Sequence, residues 1–318
     1  MRSAMPKWSS SLYLILIGVI FCVVLAWRGL LAMERSPIVS LSSHNSEYCI
    51  LVIEGFRKQV LEKFPDARFE HYFLQRTEEE NRKIIKEINE QKPALLLTIG
   101  SNATQVGLNS IPDVPLVAAM VLNEQVFVHS PRATGVLLCY PPEVRLQWVR
   151  RFFPAIDRIA ILYNPEENSQ LVAVMKKSAE QFGIEIDAIP VATITDLPPA
   201  LKSLGRKASM LLGIPDNTVY SNKTAKAVLL SSFRNHIAFV GLSSSWVKAG
   251  ALFALTWDYM DLGRQCGVIA EKIFSGTKVS DIAPVTPEKV MYELNLKTAD
   301  HLRLTLDPLL IQEAAEVY

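Results

Sequence analysis

The chain has 318 residues, 49% of them apolar and 20% charged, with a formal net charge of +1. That length buries a large core and suits two domains better than one, and the composition is that of a globular protein. The charge balance leaves no electrostatic footprint for nucleic acid, and no repeat or low-complexity segment stands out.

The N-terminus bears on compartment. Arg2 and Lys7 precede an apolar run from Leu12 to Trp27, followed by Arg28 and then Gly29 to Met33. A positive start before an apolar core is an export signal. The run of 16 residues is shorter than the roughly 20 a full span needs, and it lengthens if Arg28 snorkels. Leu30-Leu31-Ala32 is a poor cleavage site, and Phe21 before Cys22 argues against a lipoprotein signal. Residues 1–35 are therefore expected to be a cleaved signal peptide or an uncleaved N-terminal membrane anchor. Either places the chain from about Glu34 onward in the periplasm or another extracytoplasmic space, held at the inner membrane if the segment is kept.

In chain order, Pro37 to Leu41 reads as a strand, Tyr48 to Phe64 as a helix, and Arg68 to Leu74 as an alternating strand. Thr77 caps the next helix, with Glu80 at the capping-box position. Ala94 to Ile99 and Pro115 to Val121 are almost wholly apolar, as parallel strands covered on both faces are. Strand and helix alternate at βαβ spacing, which predicts a parallel sheet. Leu122 to Thr134 carries no regular pattern and reads as a crossover between lobes. The second lobe repeats the alternation. Strands are expected at Gly135–Tyr140, Ile159–Tyr163, Ile184–Pro190, Ser209–Ile214, Ile237–Leu242 and Ala251–Trp257. A helix capped by Asn168 runs to Phe182, one from Thr195-Asp196 runs through Leu204-Gly205, and one after Thr218 runs to about Asn235.

Ligands of open α/β sheets bind beyond the carboxyl ends of the strands. Gly100 to Thr104 is such an end. Gly100 permits a tight turn, Ser101 or Asn102 can cap the helix, and free N–H groups there suit a carboxylate or phosphate. In the second lobe the strand ends present Asn164, Asn168, Ser169, Asp216, Asn217 and Ser243, and Asp258 follows Trp257. These short polar side chains suit a small polar ligand. Helix capping alone would account for each of them equally well.

Catalysis finds little support. The histidines His44, His71, His129, His236 and His301 make no HxxxH or HxH pair, and GxSxG, GxGxxG and GxxxxGK[ST] are all absent. Cys22, Cys49, Cys139 and Cys266 are scattered without CxxC spacing, so inert buried thiols are expected rather than a metal or disulfide set. No cofactor and no metal is expected, and binding is the better reading than an enzyme.

Certain stretches resemble a known family: IGSNATQ (Ile99 to Gln105), RIAILYNPEENS (Arg158 to Ser169), IPDNTV (Ile214 to Val219), WVKAGALFALTWDYMDLGRQCG (Trp246 to Gly267) and NLKTADHLRLTLDPLL (Asn295 to Leu310). Together they are similar to the substrate-binding components of ABC transporters, in the periplasmic group that includes tryptophan/tyrosine-type binding proteins. The resemblance implies a type I periplasmic-binding fold, with two doubly wound parallel-sheet lobes joined by a hinge. Lobe one would be 36–121 plus 257–283, and lobe two 122–256 plus 284–318. It implies hinge closure on a small ligand, an amino acid or related carboxylate, and delivery to an ABC permease. Ser101, Asn102, Asn164, Asn168, Ser169, Asp216, Asn217 and Asp258 match pocket positions, with the Ser101-Asn102-Ala103 helix start holding a ligand carboxylate. Where the family has an acidic GSDE-like turn, this chain has Gly241-Leu242-Ser243-Ser244, and a TDP-like turn is replaced by Leu122-Asn123-Glu124. The missing acids are those that would anchor an α-amino group. An anchored extracytoplasmic sensor or accessory protein on the same fold is the alternative function.

Overall fold

The structure, a computed structural model, describes residues 36–122, 124–128, 130–204 and 210–318. Expectations for residues 1–35, for Asn123 and His129, and for Gly205 to Ser209 lie outside these residues. The chain divides into two units. One holds the described residues up to Cys139 with Asp258–Pro287; the other holds Tyr140–Trp257 with Glu288–Tyr318.

The first unit follows β1 (Ile38–Ser42), α1 (Glu47–Lys63), β2 (Phe69–Phe73), α2 (Glu78–Gln91), β3 (Leu95–Ile99), α3 (Ser101–Ser110), β4 (Leu116–Val121), α4 (Gln125–Val128) and β5 (Ala133–Leu137). The strands pair in parallel in the order β2-β1-β3-β4-β5. Ile38 stands opposite both Phe69 and Leu95. Every residue of β1 and β3 is buried, which is why β3 reads as a nearly continuous apolar run rather than an alternating one. Full burial of Leu95, Leu96 and Leu97 stabilises by about 1.5–3 kcal/mol each relative to exposure. Thr77 caps α2 as expected, its hydroxyl oxygen accepting from the Glu80 N–H.

The second unit begins with α5 (Pro142–Phe152), β6 (Arg158–Tyr163), α6 (Pro165–Gln181), β7 (Glu185–Pro190), α7 (Leu197–Leu204), β8 (Met210–Leu212), α8 (Ala225–Arg234), β9 (Ala238–Val240), α9 (Ser244–Lys248) and β10 (Phe253–Trp257). The chain then returns to the first unit as α10 (Tyr259–Phe274). It ends in the second unit with β11 (Val290–Leu294), α11 (Leu296–His301), α12 (Pro308–Gln312) and β12 (Glu316–Val317). The second sheet has the order β12-β11-β10-β9-β8-β6-β7.

Four expectations change. First, β5 belongs to the first sheet, because Ala133 registers with Leu116 on β4; the first crossing therefore follows Cys139 rather than Val121. The last crossing also moves, to after Pro287, because Val285 still bridges Val136 beside β5. Second, the second sheet is not purely parallel: β11 runs antiparallel to β10, with Val290 opposite Trp257. The chain leaves that sheet at the end of β10 and re-enters beside it, so the next strand has to run back down. Third, the helix expected straight after Thr218 starts only at Ala225; Thr224 holds the intervening turn, its hydroxyl accepting from the Ser221 N–H at 3.0 Å. Fourth, the crossover segment expected to be irregular contains the short α4.

In the first unit, α10 lies directly on α1. A Cβ placed on Gly263 would sit 2.0 Å from the Val52 carbonyl oxygen, and one on Gly55 would sit 2.0 Å from that of Met260. The two helix backbones touch where each glycine faces the main chain of the other helix, so a larger residue forces the helices apart. Burial beside this contact pushes the Cys266 thiol up to about 12, which keeps it protonated and unreactive. Cys49 and Cys139 are likewise in no disulfide among the described residues.

Candidate functional site

In the first unit, β3 ends at Gly100, whose φ of 90° is a conformation that side-chain-bearing residues rarely adopt. A Cβ there would also meet the Ser43 hydroxyl at 2.7 Å. Gly100 is the N-cap of α3 and supplies no side-chain cap. Neither Ser101 nor Asn102 caps the helix, as the sequence suggested; both are exposed residues of its first turn. The cap comes from another strand. Ser43, just past β1, places its hydroxyl oxygen 2.9 Å from the Ala103 N–H, which donates to it. Sequence reasoning passed over Ser43 because its partner lies 60 residues away; the only local signal was a polar turn directly after a buried strand. The N–H groups of Ser101 and Asn102 lie in the first turn, where a helix has no internal acceptors.

Two further helix starts belong to this unit. Asp258 caps α10, its carboxylate accepting from the Asp261 N–H at 3.0 Å. Ser46 caps α1. Tyr48 and Tyr259, in the first turns of α1 and α10, pack ring to ring with centroids 4.6 Å apart, and Tyr48 remains 51% exposed.

In the second unit the cap of α6 is Asn164, not Asn168. Asn164 Oδ1 accepts from the Glu166 N–H at 2.9 Å, and Pro165 occupies the first helical position. Proline costs nothing there, because its missing N–H would have had no partner. Asn168 falls within the first turn and is buried.

The strand ends of β6 and β8 meet at Asp216. One of its carboxylate oxygens accepts from the Asn164 N–H at 2.6 Å and from Asn168 Nδ2 at 2.9 Å. The other accepts from the N–H groups of Thr218 at 3.0 Å and Val219 at 2.8 Å. Four donors therefore converge on one carboxylate that is 7% exposed. A buried carboxylate is tolerated when it is bonded in this way. Asn164 Nδ2 reaches on to the Thr218 hydroxyl at 2.8 Å. Glu167, which the sequence reading left aside, accepts from the Asn217 N–H at 3.0 Å and from its side-chain amide at 3.1 Å. Burial and then the Asp216 charge push the Tyr220 hydroxyl well above its ordinary range. Arg145 donates to the Gly213 carbonyl just ahead of this loop.

The structure thus brings Asn164, Asn168, Asp216 and Asn217 into one braced cluster. Ser169 shares the helix, but its hydroxyl turns back to the Pro165 carbonyl. Ser243 stands at the start of α9 and shares a hydrogen bond with the Ser245 hydroxyl at 2.8 Å instead of capping. Its neighbour Ser244 donates to Glu293, a buried carboxylate from β11 whose other oxygen accepts from the Tyr318 hydroxyl at 2.9 Å. An acidic group therefore does sit beside the Gly241-to-Ser244 turn, contributed by a distant strand. Among the described residues no cluster of three or more His, Cys, Asp or Glu could hold a metal ion. No described helix is long and apolar enough to cross a membrane.

Solved structures place the fold. The chain is similar to an ABC domain from Streptococcus pneumoniae in complex with L-Trp, at 19% identity and a TM-score of 0.59, covering 89% of this chain and 100% of that one. It is similar to CD0873, a substrate-binding protein with adhesive properties from Clostridium difficile, in a ligand-free, open structure. There the identity is 21% and the TM-score 0.74, covering 89% of this chain and 99% of that one. An uncharacterised protein of Rickettsia prowazekii is 23% identical over 217 residues, 68% of this chain and 69% of the relative. Residues 38–318 match the family model described as ABC transporter substrate binding protein, and the chain belongs to that family of non-catalytic binding proteins.

Proposed function

We propose that this ABC-transporter substrate-binding protein captures an amino acid or related carboxylate by closing its two units about a hinge. It then presents the ligand to a permease on the extracytoplasmic side of the membrane. The observation that carries the reading is the start of α3. Ser43 fills the third N–H from outside, and the N–H groups of Ser101 and Asn102 are presented with Gly100 giving close backbone approach. A carboxylate at this point gains both the hydrogen bonds and the favourable end of the helix dipole. The Asp258 cap and the half-exposed ring of Tyr48 belong to the same unit and would face the rest of the ligand, and an aromatic side chain would stack on Tyr48. The similar Streptococcus pneumoniae domain, which holds L-Trp, supports that choice of side chain.

In the second unit, Asn168 and Asp216 act by holding the loops in place, because they are buried as well as hydrogen-bonded to protein. Asn217, Ser169 and Ser243, which are less deeply buried, are the residues proposed to reach the ligand. Asn164 sets the angle at which α6 leaves its strand.

A thermal-shift screen of the protein against amino acids, nucleosides, sugars and anions tests the reading. A ligand at 100 times its Kd should stabilise by about 2.7 kcal/mol, with aromatic amino acids first in rank. A flat response across every class sinks it. The apolar run from Leu12 to Trp27 with its bulky Leu30-Leu31 favours, as a second reading, a chain that stays anchored and acts as a sensor. Intact-mass measurement of the membrane fraction decides between the two, since cleavage near residue 33 removes the anchored form.

A further inference from the structure

The two-unit hinge of the proposed function needs something to make three separate chain crossings move as one. The chain passes between the units from Cys139 to Tyr140, from Trp257 to Asp258 and from Pro287 to Glu288. Resting on that reading, we propose that Tyr140 is a positioning residue that binds the roots of all three crossings into a single hinge base. Tyr140 is itself the first residue after the first crossing. Its hydroxyl donates to the Thr256 carbonyl at 2.7 Å, one residue short of the last position before the second crossing. The same hydroxyl lies 3.0 Å from the Lys289 carbonyl, one residue past the start of the third. One proton serves both oxygens as a three-centre bond, with the shorter contact carrying more of it.

The ring adds a second tie. It lies nearly parallel to that of Trp257, at an interplanar angle of 11° with centroids 6.2 Å apart. Trp257 is the last residue before the second crossing. Its buried indole N–H has no acceptor among the described residues, so packing against Tyr140 rather than a hydrogen bond is what orients it. The β10–β11 ladder, in which Trp257 stands opposite Val290, then joins the second root to the third. Every one of these contacts lies within the second unit. Tyr140 is 8% exposed, so water does not compete for the two carbonyls and the bonds gain strength from the low local dielectric.

The consequence is mechanical. With the roots bundled, the turning is left to the residues on the first-unit side of each crossing, and closure follows one axis. Without the bundle, each crossing bends by itself and the ligand-free chain samples many relative orientations.

The test needs no ligand. Dyes attached through bio-orthogonal side chains at Arg82 and Lys177, exposed positions in the two units, report single-molecule transfer efficiency in the full chain. The native chain should give one or two narrow populations. Tyr140→Phe, which keeps the ring and removes the hydroxyl, should broaden them into a wide distribution. Trp257→Phe weakens only the stack, and should broaden them in the same direction by a smaller amount; it carries the test if Tyr140→Phe fails to fold. Tyr292→Phe serves as a control, because it removes a hydroxyl bonded at 2.6 Å to the Leu310 carbonyl inside the same unit but away from the crossings; its distribution should stay native. Native distributions in both Tyr140→Phe and Trp257→Phe overturn the proposal, and so does a native chain that is already broadly distributed. A flat thermal-shift screen would remove the binding reading and leave this result standing.

Discussion

The strand ends of the two units are made of the same kinds of residue and use them differently. In the second unit, the ends of β6 and β8 spend their polar groups on one another: the Asp216 carboxylate takes four protein donors, and Glu167 takes two from Asn217. In the first unit, the end of β3 receives one cap from Ser43, and the first two helical N–H groups have no partner among the described residues. The difference teaches that polar residues at a strand end are ambiguous until their partners are known. A cluster can be a brace or a binding surface, and the count of protein donors and acceptors distinguishes them.

That contrast can be broken by substitution. The largest effect is expected for Asp216→Ala, which leaves four donors facing an emptied site and should destabilise the chain by about 3–4 kcal/mol in urea unfolding. A loss under 1 kcal/mol would mean that water replaces the carboxylate and the brace is dispensable. Gly263→Ala, a control for a contact made by backbone alone, should cost about 1–3 kcal/mol because its Cβ meets the Val52 carbonyl at 2.0 Å. A native midpoint would show that α1 and α10 slide apart without cost.

Ser43→Ala should cost about 1 kcal/mol, the usual effect of a lost cap, and should weaken the ligand found by screening by more than Asp216→Asn does. If Ser43→Ala binds like the native protein, the start of α3 is not the carboxylate site. Asn217→Ala should leave stability within about 0.5 kcal/mol while lowering affinity.

The smallest effect concerns pH. Burial holds the His71 imidazole below its ordinary value of 6.5, against the opposing effect of a hydrogen bond it donates to the Ser40 backbone. The folded chain therefore binds this proton less readily than the unfolded chain does. The stability His71 contributes is fully present above about pH 6.5 and declines as the pH falls through that value toward the folded-state value. His71→Gln should make the urea midpoint less sensitive to pH between 7.5 and 5; an unchanged slope would assign the acid loss to other groups.

Much of the fold was readable from the sequence because its signals are local. Leu95 to Ile99 reads as a covered parallel strand from its own five residues, and Thr77 with Glu80 marks a helix start. The site was less readable. The residue types at the strand ends were visible, and Asp258 does cap its helix. However, Asn164 displaced Asn168 as the cap of α6 because a proline at the first helical position was enough to begin the helix one turn earlier.

What the sequence determined by itself was the alternation of strand and helix, the family, and which polar residues would stand at strand ends. These follow from periodicity, propensity and capping, all of which act over a few residues. Only the tertiary structure decided which of those residues were already satisfied. It also decided that β5 pairs with β4 and that β11 runs antiparallel, and it brought Ser43 to Ala103, Glu293 to Ser244 and Tyr140 to Thr256. Each of those contacts joins residues far apart in the chain, at a distance set by how the sheets are wound.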